Sequence, residues 1–297
     1  MIIVNLKGGL GNQMFQYATG FALAKRKKTN LFFDIRFIDE YNSILPQGYI
    51  PRNIDLDIFS LKLQICPKKN LFKVFQFNGK YKIRNFISIF LDRINFLVFR
   101  ERNRFFDERF FNLKKKTWYL DGYWQSEKYF KDFRKEILSI FNFKKLENLD
   151  INKKFIKNIS SKKSVCINVR RKDFINHPEH DVVDLEYYKK AIKIYKKLIG
   201  GNFEIFIFSD DLIWCKKNFL FFDKVNYVEH DFAGRKFYNY LYLMTKFKYF
   251  IIPNSSFAWW GAWLSQEDDK KIIAPKKWSG ILDESKVDIV PDSWMKI

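Results

Sequence analysis

Apolar positions recur along this chain in two rhythms. Short continuous runs alternate with longer stretches in which apolar residues fall three and four apart. The run "IIVNL" at the start reads as a first strand, followed by "NQMFQYATGFALAK" with Met14, Tyr17, Ala18, Phe21 and Ala22 at helical spacing. Asn12 is placed to cap that helix. "NLFFDI" then predicts a second strand, so the chain opens β-α-β. Residues 60 to 115 are rich in Phe, Lys and Arg but weakly periodic, and no strand can be placed in them. From residue 117, "TWYLDGYWQSEKYF" predicts a strand, a polar aromatic turn and a helix from about Ser126.

The segment 147–164, "ENLDINKKFIKNISSKKS", is poor in apolar residues and reads as a boundary between domains 1–155 and 160–297. Beyond it the alternation is regular. "VCINV", "FEIFIF", "YFIIP" and "KKIIAP" read as strands. "LEYYKKAIKIYKKLI", "FYNYLYLMTKF" and "SSFAWWGAWLSQ" read as helices, the first with Leu185, Tyr188, Ala191, Ile192 and Tyr195 on one face. Asp210 or Asp211 can cap a short helix after "FEIFIF". Short apolar strands alternating with helices argue for an α/β fold with parallel sheets covered on both faces and ligands near the carboxyl ends of the strands.

Composition narrows the class. Hydrophobic residues make up 47% of 297, enough for a large core and too many for wholesale disorder. Cys66, Cys166 and Cys215 show no paired spacing, which suggests neither a disulfide framework nor a zinc site and fits a reducing compartment. The net charge of +21 comes mostly from lysines scattered through the chain, the pattern of solvated helix faces. No nucleic-acid motif accompanies it, and the remaining reading is attraction to anionic lipid or phosphate-bearing substrates. The apolar run in "MIIVNLKGG" is short for a signal peptide, and charges interrupt the longest apolar stretches well before about 18 residues. A cytoplasmic protein is the expectation.

Four stretches can carry chemistry. Gly9-Leu10-Gly11 begins a glycine turn between strand and helix, the setting in which backbone amides hold phosphate. Met14 occupies the third position of the dinucleotide fingerprint, so a nicotinamide site, with Asp34 as ribose partner, is a weak alternative to a packing turn. In "INVRRKDF", Arg170 and Arg171 follow a strand. A guanidinium fork suits phosphate; one arginine can face a ligand while the other braces the loop, and Asp173 can orient Arg171 or act as acid or base. Asp210 and Asp211 in "IFSDDLIW" can hold hydroxyls or cap a helix, but their spacing is not a metal clamp. The one DxD, Asp55-Leu56-Asp57, sits in unremarkable context, so no metal is expected. In "PNSSFAWWGAWL", Asn254, Ser255 and Ser256 precede an aromatic helix whose N-terminal amides can receive an anion.

Taken together, these stretches resemble the inverting α-1,2-fucosyltransferases of glycosyltransferase family eleven. The opening motif is similar to "GGLGNQMFQYA" at residues 8–18, and the HxRRxD motif to Asn168 through Asp173. "FSDD..W" is similar to Phe208 through Trp214, "NSSFSWWGAWL" to Asn254 through Leu264, and "GYWQSEKYF" at residues 122–130 also belongs to the pattern. The resemblance implies a GT-B fold, two Rossmann-like domains facing across a cleft, the first on the acceptor side and the second on the GDP-fucose side. It also implies metal-independent transfer to a galactose-terminated glycan, with no cofactor beyond the co-substrate GDP-fucose and no nucleic-acid partner. Gly11, Asn12, Asn168, Arg170, Arg171, Asp210, Asp211, Asn254, Ser255 and Ser256 are then expected at the donor, and Tyr123, Trp124 and Gln125 at the acceptor. Arg170 is expected to stabilise the leaving diphosphate, and Asp173, with His177 and His180 behind it, is the candidate base. Asn168 stands where the family pattern has His, and an amide cannot take a proton near neutral pH. A same-fold transferase of another linkage or sugar, and a non-catalytic basic binding protein, are the alternatives. A role on a surface glycan would place the chain at the inner face of the membrane, where its lysines could act.

Overall fold

The computed structural model describes residues 1–42, 53–75, 97–102 and 104–297. They form two compact units, Met1–Ile140 and Phe141–Ile297. The boundary lies earlier than the expected 155–160. The polar segment 147–164 contains the helix Asp150–Ser160, which belongs to the second unit. Its few inward residues fix it there: Asn152 and Asn239 exchange side-chain hydrogen bonds at 2.8 and 3.0 Å, and Phe155 packs on Phe206, Phe208 and Phe247.

The first unit holds a parallel sheet of β1 (Ile2–Asn5), β2 (Leu31–Asp34), β3 (Val98–Arg100) and β4 (Trp118–Asp121), in the order β2-β1-β4-β3. The helix Leu10–Lys27 follows β1. Its N-cap is Gly9, with no side-chain cap, and Asn12 lies in the first turn rather than at the cap. Gly20 lets this helix close on β1, since a Cβ there would sit 2.4 Å from Val4 Cγ2. Within the stretch where no strand could be placed, β3 and a helix Lys68–Phe75 appear, and residues 76–96 of it lie outside the described residues. After β4 the expected helix is two 3₁₀ turns leading into a helix at Arg134–Ile140.

The second unit is a six-stranded parallel sheet of β5 (Ser164–Val169), β6 (Glu204–Ser209), β7 (Val225–Tyr227), β8 (Tyr249–Ile251), β9 (Lys271–Ala274) and β10 (Met295–Lys296). The order β10-β9-β8-β5-β6-β7 reverses between β5 and β8, the doubly wound Rossmann arrangement. The helix Leu185–Ile199 buries Tyr188, Ala191, Ile192 and Tyr195 against it. Tyr195 Oη donates to the carbonyls of Phe250 and Lys271, so even this ring's polar end is satisfied in the core. Among the described residues no helix is long and apolar enough to cross a membrane.

Candidate active site

In an open parallel sheet, ligands collect where the strand order reverses, beyond the carboxyl ends. In the second unit that point lies between β5 and β8, and the segments leaving those strands are 170–173 and 252–256. Sequence-predicted residues therefore converge from both sides.

Arg170 is held by two carboxylates. Its Nε and Nη2 lie 2.8 and 2.6 Å from Asp173 Oδ1, and its Nη1 lies 3.1 Å from Asp210 Oδ2. Asp173 thus orients Arg170 rather than the expected Arg171. Arg171 is the bracing partner: its guanidinium stacks 3.8 Å from the Trp214 ring centre, with Nε 3.4 Å from Asp211 Oδ2. Asp210 also accepts from the backbone amides of Arg171 and Lys172 at 2.9 and 3.2 Å, which anchors the turn after β5. Asp211 caps the helix Leu212–Asn218 by accepting from Trp214 N. Both carboxylates are occupied by their own chain, as positioning groups for the arginine loop. Two guanidinium groups, Arg170 and Arg171, thus meet three acids, Asp173, Asp210 and Asp211. An incoming diphosphate must compete with Asp173 for the fork of Arg170.

Asn168 is buried near the end of β5, with Nδ2 donating to the Phe208 carbonyl at 3.2 Å while its own carbonyl accepts from Tyr188 Oη. Ser255 is the N-cap of the helix Ser256–Leu264, its Oγ accepting from Ala258 N at 3.5 Å. Ser256 opens the helix and is half-buried. Asn254 works as a staple: its Nδ2 donates to the carbonyls of His180 and Trp278, tying two loops to the end of β8, and its buried Oδ1 has no partner among the described residues. Beside it, Phe174, His180 and His177 stack in series at 4.8 and 4.4 Å, and Arg170 lies 5.7 Å over Phe174. The tryptophans of the last motif are core: Trp259, Trp260 and Trp263 are buried against one another.

The first unit has its own reversal, between β1 and β4, and the glycine loop and "GYWQ" leave those strands side by side. Gln125 Nε2 donates to Asn12 Oδ1 at 2.7 Å, so an expected acceptor residue and an expected donor residue hold each other. Gly11 is buried in the first turn of the helix. Trp124 cannot offer a face to a sugar. It is fully buried at φ +57°, stacked on Phe99 at 5.8 Å and edge-on to Tyr129. Tyr123 keeps a half-buried ring, with Lys7 Nζ and Arg104 Cζ lying 5.0 and 5.2 Å from its centre. Asp34 is not a ribose ligand: Arg36 binds it through Nε and Nη2, and Tyr119 Oη donates to it. Among the described residues no group of three or more His, Cys, Asp or Glu could hold a metal ion.

Several residues that organise this end escaped the sequence reading. Gln13 and Gln16 are fully buried in the opening motif. Gln13 ties Gly8 O to the backbone of Asn53 and Asp55, and Gln16 ties both backbone groups of Lys7 to Gly122 O. Two glutamines on the apolar face of a helix are the signal that could have found them, because a buried amide must be paired. Asp121, at the end of β4, binds Lys7, Arg100 and Asn5. Burial alone would raise its carboxyl, but Lys7, the Asn5 amide and Arg100 outweigh that and hold it at about 2.

The sequence model of Glycosyl transferase family 11 matches residues 1–297. The chain belongs to that family. It is 32% identical to an Alpha-1,2-colitosyltransferase of Escherichia coli, across 100% of this chain and 99% of that protein. It is 29% identical to the O-antigen biosynthesis glycosyltransferase WbnK of Escherichia coli, across 98% and 99%. Among solved structures, Arabidopsis thaliana FUT1 in a mutant form with GDP aligns at a TM-score of 0.52 and 13% identity, over 92% of this chain and 69% of that one. The fold class is α/β of the GT-B type, with a Rossmann-like unit in each half, and the chain is a glycosyltransferase.

Proposed function

We propose that this family 11 glycosyltransferase moves fucose from GDP-β-L-fucose to the 2-hydroxyl of a terminal galactose, with inversion and without a metal. The observation that carries the reading is the convergence of Arg170 and the N-terminus of the helix Ser256–Leu264 at adjacent strand ends of a Rossmann-ordered sheet. A guanidinium and free helix amides are the groups that stabilise a departing diphosphate. Asp173 and Asp210 aim the guanidinium; the amides after Ser255 add donors. The acceptor hydroxyl attacks the anomeric carbon as the bond to GDP breaks, and its proton passes to Asp173 or to solvent. Asn168 cannot take it. Tyr123 and Gln125 of the first unit remain the acceptor candidates; Trp124 does not.

A second reading concerns the donor. The relative named for colitose, the 3-deoxy counterpart of fucose, supports GDP-colitose as an alternative sugar on the same machinery. The relative named for O-antigen biosynthesis supports a surface glycan as acceptor.

The test is GDP release from GDP-fucose or GDP-colitose in the presence of lactose, with product NMR and a parallel assay in EDTA. Release only with GDP-colitose replaces the donor. A β-fucoside rejects inversion, a bond at another hydroxyl rejects the linkage, and EDTA loss restored by manganese or magnesium rejects metal independence.

A further inference from the structure

We infer that Glu101 is the positioning residue of the acceptor loop, an inference that rests on the proposed division of donor and acceptor between the units. Glu101 follows β3 immediately, and its backbone amide donates to Asp121 O at 3.0 Å, which seats it beneath the turn that leaves β4. Its two carboxylate oxygens then accept from two consecutive backbone amides of that turn: Tyr123 N at 2.7 Å and Trp124 N at 2.8 Å.

Sequence and space agree with this role. Gly122 has no side chain because a Cβ there would lie 2.4 Å from Glu101 Cβ and 2.9 Å from Glu101 Oε2. The neighbouring Trp124 adopts φ +57°, a conformation costly for a bulky residue and kept only where surrounding contacts over-determine it. Two charge-assisted bonds to the amides and a fully buried indole supply those contacts. Burial pushes the Glu101 carboxyl up, and the two amides, Lys7 and Arg104 act against that push. The same two cations lie over the Tyr123 ring. The carboxylate therefore fixes the backbone from below while Lys7 and Arg104 fix the ring. The result is a set direction for Tyr123 and Gln125, the latter fastened to Asn12.

Glu101 acts through the loop and not by touching substrate. The discriminating measurement is hydrogen exchange at the Tyr123 and Trp124 amides, alongside steady-state kinetics with lactose and GDP-fucose and calorimetric binding of GDP. In Glu101→Gln one carboxylate oxygen becomes an amide nitrogen facing an N–H group. Exchange at residues 123 and 124 should accelerate by about tenfold or more, and the lactose KM should rise by about tenfold, with GDP affinity unchanged. Glu101→Asp keeps the charge with a shorter reach, and should fall between wild type and Glu101→Gln in both readouts. It also serves if the Gln variant does not fold.

Unchanged exchange at both amides in a folded variant overturns the inference. So does a lactose KM that stays constant, or one that rises only in step with a loss of GDP binding. Failure of wild-type protein to bind GDP or use GDP-fucose would instead sink the donor reading, and the exchange data would still decide the role of Glu101.

Discussion

Asp173 Oδ1 lies 2.8 Å from Nε and 2.6 Å from Nη2 of Arg170, so the arginine proposed for the diphosphate is already aimed by a carboxylate. Arg170→Ala should lower turnover by at least about a hundredfold with the fold intact, because it removes a charge that acts on the leaving group. Retention of more than about a tenth of wild-type turnover would mean that another group does this work. Asp173→Asn separates the brace from the base. Loss of a brace should weaken GDP-fucose binding by about tenfold while the pH profile keeps its shape. A drop in kcat of about a hundredfold or more with GDP-fucose binding retained would make Asp173 the proton acceptor.

Much of this arrangement was legible, and the exceptions have physical causes. Strands β5, β6, β8 and β9 are buried on both faces, so they read as continuous apolar runs. β7 and β10 are edge strands of three and two residues, too short to show a period. Arg170 and Ser255 could be placed because each stands at a strand or helix end that the pattern marks. The burial of Trp124 could not, since an indole in a turn suits packing and sugar stacking alike, and the positive φ that turns it inward leaves no mark in the residue pattern. Glu101 was hidden for a different reason. Its partners are backbone amides, which carry no side-chain signature, and it lies in a stretch without a readable period. The domain boundary moved because the helix Asp150–Ser160 is anchored by a buried asparagine pair, which composition scores as polar.

Acid stability should depend on Asp121. Its carboxyl is ordinarily at 3.8 and here is held at about 2, so the folded state favours the ionised form. A depressed acid contributes stability that is whole above the ordinary value and lost as pH falls towards the folded one. The expected contribution is about 2 kcal/mol near neutral pH, fading from 3.8 towards 2. Asp121→Asn should therefore be less stable than wild type near neutrality and close that gap in acid. Urea midpoints across this range are the measurement, and a gap that stays constant down to pH 2 would detach the effect from this group.

Gly280 marks a tight crossing beside the candidate donor site. Its amide donates to Glu179 O at 2.8 Å, and a Cβ would sit 2.0 Å from the Pro178 carbonyl oxygen. That obstacle is backbone, so the loop carrying His177 and His180 must move if a methyl group is added. Gly280→Ala should cost about 1–3 kcal/mol in unfolding free energy. It should also weaken the bond from Asn254 Nδ2 to His180 O, and with it GDP binding. A variant with unaltered urea midpoint and unaltered GDP affinity would show that the two loops are not packed as tightly as these distances require.

Asn168 offers the sharpest test of how this chain departs from its family pattern. Its side chain is buried at the end of β5 and donates to Phe208 O, two residues before Arg170 on a strand whose side chains alternate. An imidazole there can keep the bond to Phe208 O through one ring nitrogen. The other nitrogen then extends toward the position of Arg170, bringing a titratable group near the leaving diphosphate. Asn168→His should change kcat or its pH profile by about severalfold without changing the preferred donor. A urea midpoint for the variant guards against a trivial loss of folding. If a folded Asn168→His enzyme matches wild type at every pH, position 168 does not reach the reacting groups, and the departure from the family pattern is a matter of packing between β5 and β6.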